Sequence, residues 1–266
     1  MIKIENLVLP SPGQMETIIR GMRNPMNSWH LMDSGMEVIV DDQTLEEADY
    51  QYHVGEKDMN LMRKLNRGGA VHAKYKRMMV VYLDITAPLY WWKEFDTYKV
   101  GTVANSCSTM HKIQAKEFTL DDFSCEHLHG PGLSNLTSTI KLLNYYRDCY
   151  IETVVDNRRD GQNGKTVQKD FWWQMIQLLP SSYNQKRTVM LNYEVLTEMY
   201  KWRKAHKLDE WVQFCEYIAK VLPYAELITA ECEEENGVIT ANEMRAMLGL
   251  PPVEELSTSL AKKEEE

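Results

Sequence analysis

The chain has no surplus of positive charge. Its 30 Lys and Arg stand against 39 Asp and Glu, a formal net charge of −9. Neutralising a phosphate backbone takes excess Lys and Arg, so broad nucleic-acid binding is excluded. Part of the negative charge lies in two runs, Glu231 to Glu235 and Glu264 to Glu266. These read as solvated acidic stretches and leave the body able to hold a small anion. No apolar run approaches the length of a membrane span, so no membrane partner is expected. The opening residues, MIKIENLVLP, lack the basic and apolar regions of a signal peptide, and a cytoplasmic location is the expectation. The five cysteines (Cys107, Cys125, Cys149, Cys215, Cys232) show no C-x-x-C spacing and read as free thiols. Cys125-Glu126-His127-Leu128-His129 offers metal-ligand types, but no second cluster completes a site. A hydrolase built on Cys107 or Cys125 lacks both a nucleophile elbow and a Cys/His signature.

What is present is a soluble globular pattern long enough for one large domain or two small ones. Met79, Val81, Leu83 and Ile85 alternate with Val80, Tyr82, Asp84 and Thr86, the clearest strand in the chain. Pro88 then suits the start of a helix carrying Tyr90, Trp91 and Trp92, the latter two read as core. That helix leads into a polar stretch, Thr102 to Thr109. A first strand near Ile2 and Ile4 precedes a helix over 13–22, stopped at Asn24-Pro25. A helix over 57–67 ends at Gly68-Gly69. Ser134 is expected to cap a long helix. Residues 156–168, DNRRDGQNGKTVQ, read as a polar loop, and an apolar helix follows over 170–179. The next helix is expected from Gln185 to Lys207. In it Asn192, Leu196, Met199 and Arg203, at offsets 0, 4, 7 and 11, form one stripe. Asn192 and Arg203 are then about 16 Å apart at 1.5 Å per residue, the span of a nucleotide. Residues 229–266 read as an acidic appendage with one short helix opened by Thr240-Ala241-Asn242-Glu243. NGVITANEMRAMLGLPPVEE in it resembles short motifs of phage portal proteins, which hints at a phage or prophage source.

Two segments together carry a wider resemblance. LDITAPLYWWKEFDTYKVGTVANSCS, residues 83–108, resembles the central segment of flavin-dependent thymidylate synthases, where a strand ends in Ala-Pro and a helix follows. LPSSYNQKRTVMLNYEVLTEMYKWR, residues 179–203, is similar to the family's later helix. That helix begins Leu-Pro and has an Asn thirteen residues after the Leu and an Arg eleven beyond the Asn, here Leu179-Pro180, Asn192 and Arg203. His72 stands where the family places a His before the strand. Thr97-Tyr98-Lys99 replaces the family's Arg-His-Arg, Glu94 its Gln, Glu194 an Arg and Glu198 an Asn. Lys cannot reproduce the bidentate fork of Arg.

The resemblance implies an α/β (α+β) fold with a central sheet and long packed helices over residues 1–228. It implies a homotetramer, FAD, and a pyrimidine nucleotide such as dUMP. The implied reaction is C5 methylation, with NADPH and methylenetetrahydrofolate as co-substrates. His72, Lys99, Asn105 and Asn192 are the implied flavin contacts. Tyr98, Thr102, Ser106, Ser108, Arg187 and Arg203 are the implied nucleotide contacts. A catalytically inactive homologue, serving as a nucleotide-binding or phage-associated interaction protein, is the alternative that the substituted Arg-His-Arg positions keep open.

Overall fold

The computed structural model describes residues 2–39, 49–160 and 162–230, with Asn242, Arg245, Ala246 and Pro252. The acidic runs and, apart from Asn242, the expected cap at Thr240 to Glu243 lie outside them. The chain divides into two compact units. The first is Met1–Leu7, Tyr82–Val189 and Ala205–Phe214; the second is Val8–Val81, Met190–Lys204 and Cys215–Glu266.

In chain order the elements are β1 (Lys3–Val8), α1 (Pro12–Arg23), β2 (Gly35–Ile39), β3 (Asp49–His53), α2 (Glu56–Arg67), β4 (Val80–Pro88), α3 (Leu89–Phe95), β5 (Thr102–Ser106) and α4 (Thr109–Lys112). There follow α5 (Pro131–Asp160), α6 (Gln162–Leu178), β6 (Asn184–Asn192), α7 (Tyr193–Arg203), α8 (Asp209–Val221) and α9 (Glu226–Thr229). β1, β4, β6 and β5 form one sheet in that order, which leaves β5 on an edge; β2 and β3 form a separate antiparallel pair.

In the first unit, alternation sorts the sheet. Leu83, Ile85 and Ala87 of β4 are buried, while Tyr82 is exposed and Asp84 and Thr86 are half-buried. The outward face carries a polar cluster across three strands. Asp84 accepts from Asn6 on β1 (2.8 Å) and from Thr188 on β6 (2.6 Å), and pairs with Lys186 (3.0 Å). These hydrogen bonds, Thr188's first, hold the Asp84 carboxyl down at about 2. A second layer packs α5 against α6 over Phe118, Phe123, Ile140, Leu143 and Met175.

In the second unit, the Ser11 capping box and Pro12 start α1, which buries Met15, Ile18, Ile19 and Met22. α2 and α7 both pack on α9. Asp58 of α2 is buried against Arg23, with Nε to Oδ1 at 2.5 Å. Its other oxygen accepts from the Asp33 and Ser34 amides and the Ser34 hydroxyl.

Three sequence expectations are corrected; the first is the cap of α5, which begins at Pro131, so that Ser134 lies inside the helix and its hydroxyl donates to the Gly130 carbonyl at 3.1 Å. Residues 156–168 lie in helical segments, through Asp160 in α5 and from Gln162 in α6, not in a loop. Arg, Gln and Lys are good helix formers, and polar composition alone does not break a helix whose neighbouring turns are packed. Gln185 to Asn192 is a strand, and the following helix begins only at Tyr193. Gln185, Val189 and Leu191 are buried at alternate spacing, with Thr188 exposed between them; a polar residue at the first buried position hid that period. Asn192 is therefore the N-cap of α7, and its side chain accepts from the Val195 amide at 3.0 Å.

Candidate functional site

The polar groups of the first unit are organised by α3. Pro88 is its N-cap and ends β4. Trp91, Trp92 and Phe95 on its inner side are buried among Trp211 and Phe214 of α8, with Trp91 and Trp211 centroids 4.7 Å apart. At its start the Tyr90 hydroxyl donates to the Glu210 carboxylate; burial first, and then that anion, raise the phenol's pKa. A rigid aromatic platform results, fixed to both β6 and α8.

Arg187 lies on this platform. Its guanidinium carbon is 4.2 Å from the Trp92 ring centre. Its Nε donates to Gln185 Oε1 at 3.0 Å and an Nη donates to Asp96 Oδ1 at 2.7 Å. Gln185, itself buried, donates through Nε2 to the Cys107 carbonyl at 2.8 Å, and the Trp92 indole donates to the Gln185 carbonyl at 2.8 Å. The fork is thus aimed by three neighbours, and its second Nη has no protein acceptor among the described residues. An oriented, stacked guanidinium with donors to spare is suited to a phosphate or a carbonyl. The same hydrogen bonds bring Arg187 beside the segment Asn105 to Ser108.

A second constellation lies at the other end of α3. The Trp211 indole donates to Glu94 Oε2 at 3.1 Å, and His206 Nε2 is 3.5 Å from the same oxygen. The Leu208 amide donates to His206 Nδ1 at 3.2 Å, which puts the proton of the neutral ring on Nε2, facing Glu94. Tyr98 meets Trp211 edge-on at 6.0 Å, and the Thr102 hydroxyl donates to the Tyr98 carbonyl.

The expected residues divide among these places. Tyr98, Thr102, Asn105, Ser106, Ser108, Lys99 and Arg187 all lie in the first unit. Lys99, Asn105 and Ser106 are exposed and make no side-chain hydrogen bond or ion pair among the described residues. Ser108 caps α4 by accepting from the His111 amide at 3.0 Å, which leaves its hydroxyl proton free to donate. His72, Asn192 and Arg203 lie in the second unit. His72 sits half-buried in a turn that begins at Gly69, whose φ is +81°. Arg203 ends α7; its charge lowers the Cys215 thiol, but burial dominates and pushes that thiol up to about 12. Glu194, which stands where an Arg was expected, pairs with Arg77 at 2.7 Å in the same unit.

Sequence reasoning missed Gln185, Asp96 and the Glu94–His206 pairing. Gln185 and Arg187, two apart on a strand, point the same way, and that period was the available signal. Nothing in the sequence places His206 opposite Glu94, 112 positions earlier.

No protein-family model matches the sequence, and no curated protein matches it. Solved structures do. Thymidylate synthase X from Helicobacter pylori, with FAD and dUMP, aligns with a TM-score of 0.50 at 13% identity over 86% of this chain and 96% of that one. A second structure of that flavin-dependent enzyme, complexed with FAD and dUMP, aligns with a TM-score of 0.50 at 11% identity, covering 86% and 97%. The UMP/dUMP methylase PolB from Streptomyces cacaoi, bound with 5-Br dUMP, aligns with a TM-score of 0.49 at 13% identity, covering 86% and 95%. The chain is a mixed α/β protein with the fold of flavin-dependent thymidylate synthase X.

Proposed function

We propose that the chain is a divergent, thymidylate synthase-like protein that binds a pyrimidine nucleotide such as dUMP. Residues 1–228 form the domain that does so, and 229–266 an appendage. Arg187 carries the reading. It is held on Trp92, braced by Gln185 and Asp96, and set beside the exposed amide and hydroxyls of Asn105, Ser106 and Ser108. Such a group suits the phosphate of a nucleotide, with Ser106 and Ser108 as further donors; Thr102, whose hydroxyl proton goes to the Tyr98 carbonyl, is proposed as an acceptor contact to the nucleotide. Tyr98 completes the proposed nucleotide contacts of the first unit, and Arg203 is the one proposed in the second. The Helicobacter pylori structures, which share this fold, hold FAD and dUMP.

Flavin fits in part. Lys99 and Asn105 are exposed and available to an anion, whereas the Asn192 amide oxygen is already committed to the Val195 amide. His72 is half-buried and keeps its ring nitrogens available. When bound, flavin would supply methylene and hydride transfer to C5 of the base, with NADPH and methylenetetrahydrofolate as co-substrates. This chain's residues would bind and orient. A homotetramer in the cytoplasm is the proposed setting.

One observation favours the second reading, a nucleotide-binding homologue without the chemistry. Asp96 and Glu94 place carboxylates on Arg187 and His206, where an anionic ligand would have to compete. Titration with FAD in the visible range and thermal shift with dUMP separate the two. Saturable flavin absorbance together with dUMP stabilisation supports the flavoenzyme, and dUMP stabilisation alone supports the homologue. Absence of binding by FAD, FMN and every pyrimidine nucleotide overturns both.

A further inference from the structure

The second unit contains a cavity of about 320 Å³ lined by Asn60, Arg63, Lys64, Asn66 and Arg67 of α2, with Glu226 and Ala230 opposite. That size lies at the lower end of small-molecule sites. We propose that it binds a small phosphorylated molecule, independently of the nucleotide reading of the first unit.

The helical period makes the site. Asn60, Arg63, Lys64 and Arg67, spaced by three and four, fall on one stripe of α2. The opposite stripe, Met59, Met62 and Leu65, is buried. Three cations are therefore held side by side on a helix whose rotation is fixed by its core face. A fourth lies beneath. Lys76, buried, donates to Asn66 Oδ1 at 2.8 Å and to the Leu227 carbonyl at 2.7 Å, and Asn66 Nδ2 donates to the same carbonyl at 3.1 Å.

Against these stands one lining carboxylate, Glu226, paired with Arg63 at 3.2 Å. Both partners are about half exposed, 50% and 47%, so water screens the pair and a phosphate can displace it. Lys64 and Arg67 have no ion pair among the described residues. A simpler role exists for those two, since cations in a last turn offset the helix dipole. That role does not account for Arg63, the two amides or the concavity they line. The Gly68 and Gly69 amides donate to the Lys64 and Asn66 carbonyls, which lowers the negative potential of that helix end. In a chain of net charge −9 such a cluster focuses positive potential, and the aliphatic stems of its Lys and Arg offer an apolar wall to the organic part of a ligand.

The test is calorimetric titration of the full chain with inorganic pyrophosphate at constant ionic strength, with citrate as a trianion lacking phosphorus. Expected are saturable one-site binding of pyrophosphate and an affinity at least about tenfold lower for citrate. Lys64→Gln/Arg67→Gln should lower pyrophosphate affinity about tenfold or more, the loss of charge-assisted hydrogen bonds. Lys141→Gln, at an exposed lysine of α5 with no ion pair among the described residues, should leave it unchanged. Absence of saturable binding overturns the proposal. So do unaltered affinity in the double variant, equal binding of citrate, and equal loss with Lys141→Gln. Should the double variant fail to fold, Arg67→Gln alone gives the same readout.

Discussion

Replacing Asp96 by Asn should make the chain bind dUMP more tightly. The Arg187 guanidinium is now shared between Gln185 and Asp96, with the Asp96 oxygen 2.7 Å from an Nη. The Asp96 side chain is 53% exposed, so the pair is a surface pair despite the 14% exposure of Arg187. Pairs of that kind contribute roughly 0.2–1 kcal/mol, and Asn keeps an oxygen able to accept. Folding stability should thus fall by less than about 1 kcal/mol. A phosphate approaching the same fork meets one repelling charge fewer and need not displace a carboxylate. Recovering up to about 1 kcal/mol corresponds to an affinity gain of roughly two- to fivefold. Arg187→Ala, in contrast, removes a charge-assisted bond of about 1.5–3 kcal/mol, a loss of roughly ten- to 150-fold. Calorimetric titration with dUMP at fixed salt reads both, and thermal melts report whether either variant is misfolded. Weaker binding by Asp96→Asn, or unchanged binding by Arg187→Ala, would refute the assignment of the phosphate to this fork.

Three further outcomes follow from the geometry. Asp58→Ala leaves the buried Arg23 charge and three donors unanswered and should cost about 3–5 kcal/mol in urea denaturation, whereas a cost below about 1 kcal/mol would contradict the network. Exposed Cys107 should react with Ellman's reagent in the native protein, while Cys215, buried and with its thiol pushed up to about 12, should react only on unfolding; equal rates would refute this. The Asp84 carboxyl titrates below its ordinary 3.8, at about 2, so its contribution to stability is present above 3.8 and lost as pH falls towards 2. Thr188→Val removes the largest cause, and a carboxyl titration followed by NMR should move upward from about 2; no movement would assign the shift elsewhere.

Much of the fold was legible because its signals were local. The strand ending at Pro88, the helix α1 stopped near Asn24-Pro25, and α2 closing at Gly68 each follow from period or breaker within a dozen residues. β6 was not legible, because its first buried position is Gln185, a polar residue whose partners are Cys107, Arg187 and Trp92. Burial there is made tolerable by long-range hydrogen bonds, which no window of sequence contains. The helical 156–160 and 162–168 stretches failed for the reverse reason: their composition resembles a loop, and helix formation depends on packing elsewhere along α5 and α6. For the candidate site, Arg187, Tyr98 and Thr102 could be nominated by position. Their orienting partners Asp96 and Gln185 could not, because each acts across a fold that brings β5, β6 and α3 together.

β5 has a consequence of its own. Among the described residues it is the terminal strand of its sheet, so one row of its amide and carbonyl groups has no described strand beside it, and Val103 to Ser106 are all exposed. Main-chain donors and acceptors are the same whatever side chain they carry. Recognition along such a rim survives substitution that would abolish recognition by a guanidinium, and it survives repeated substitution over long divergence. Whatever side chains stand at Thr97-Tyr98-Lys99, the rim that begins at Thr102 keeps its own row of main-chain donors and acceptors.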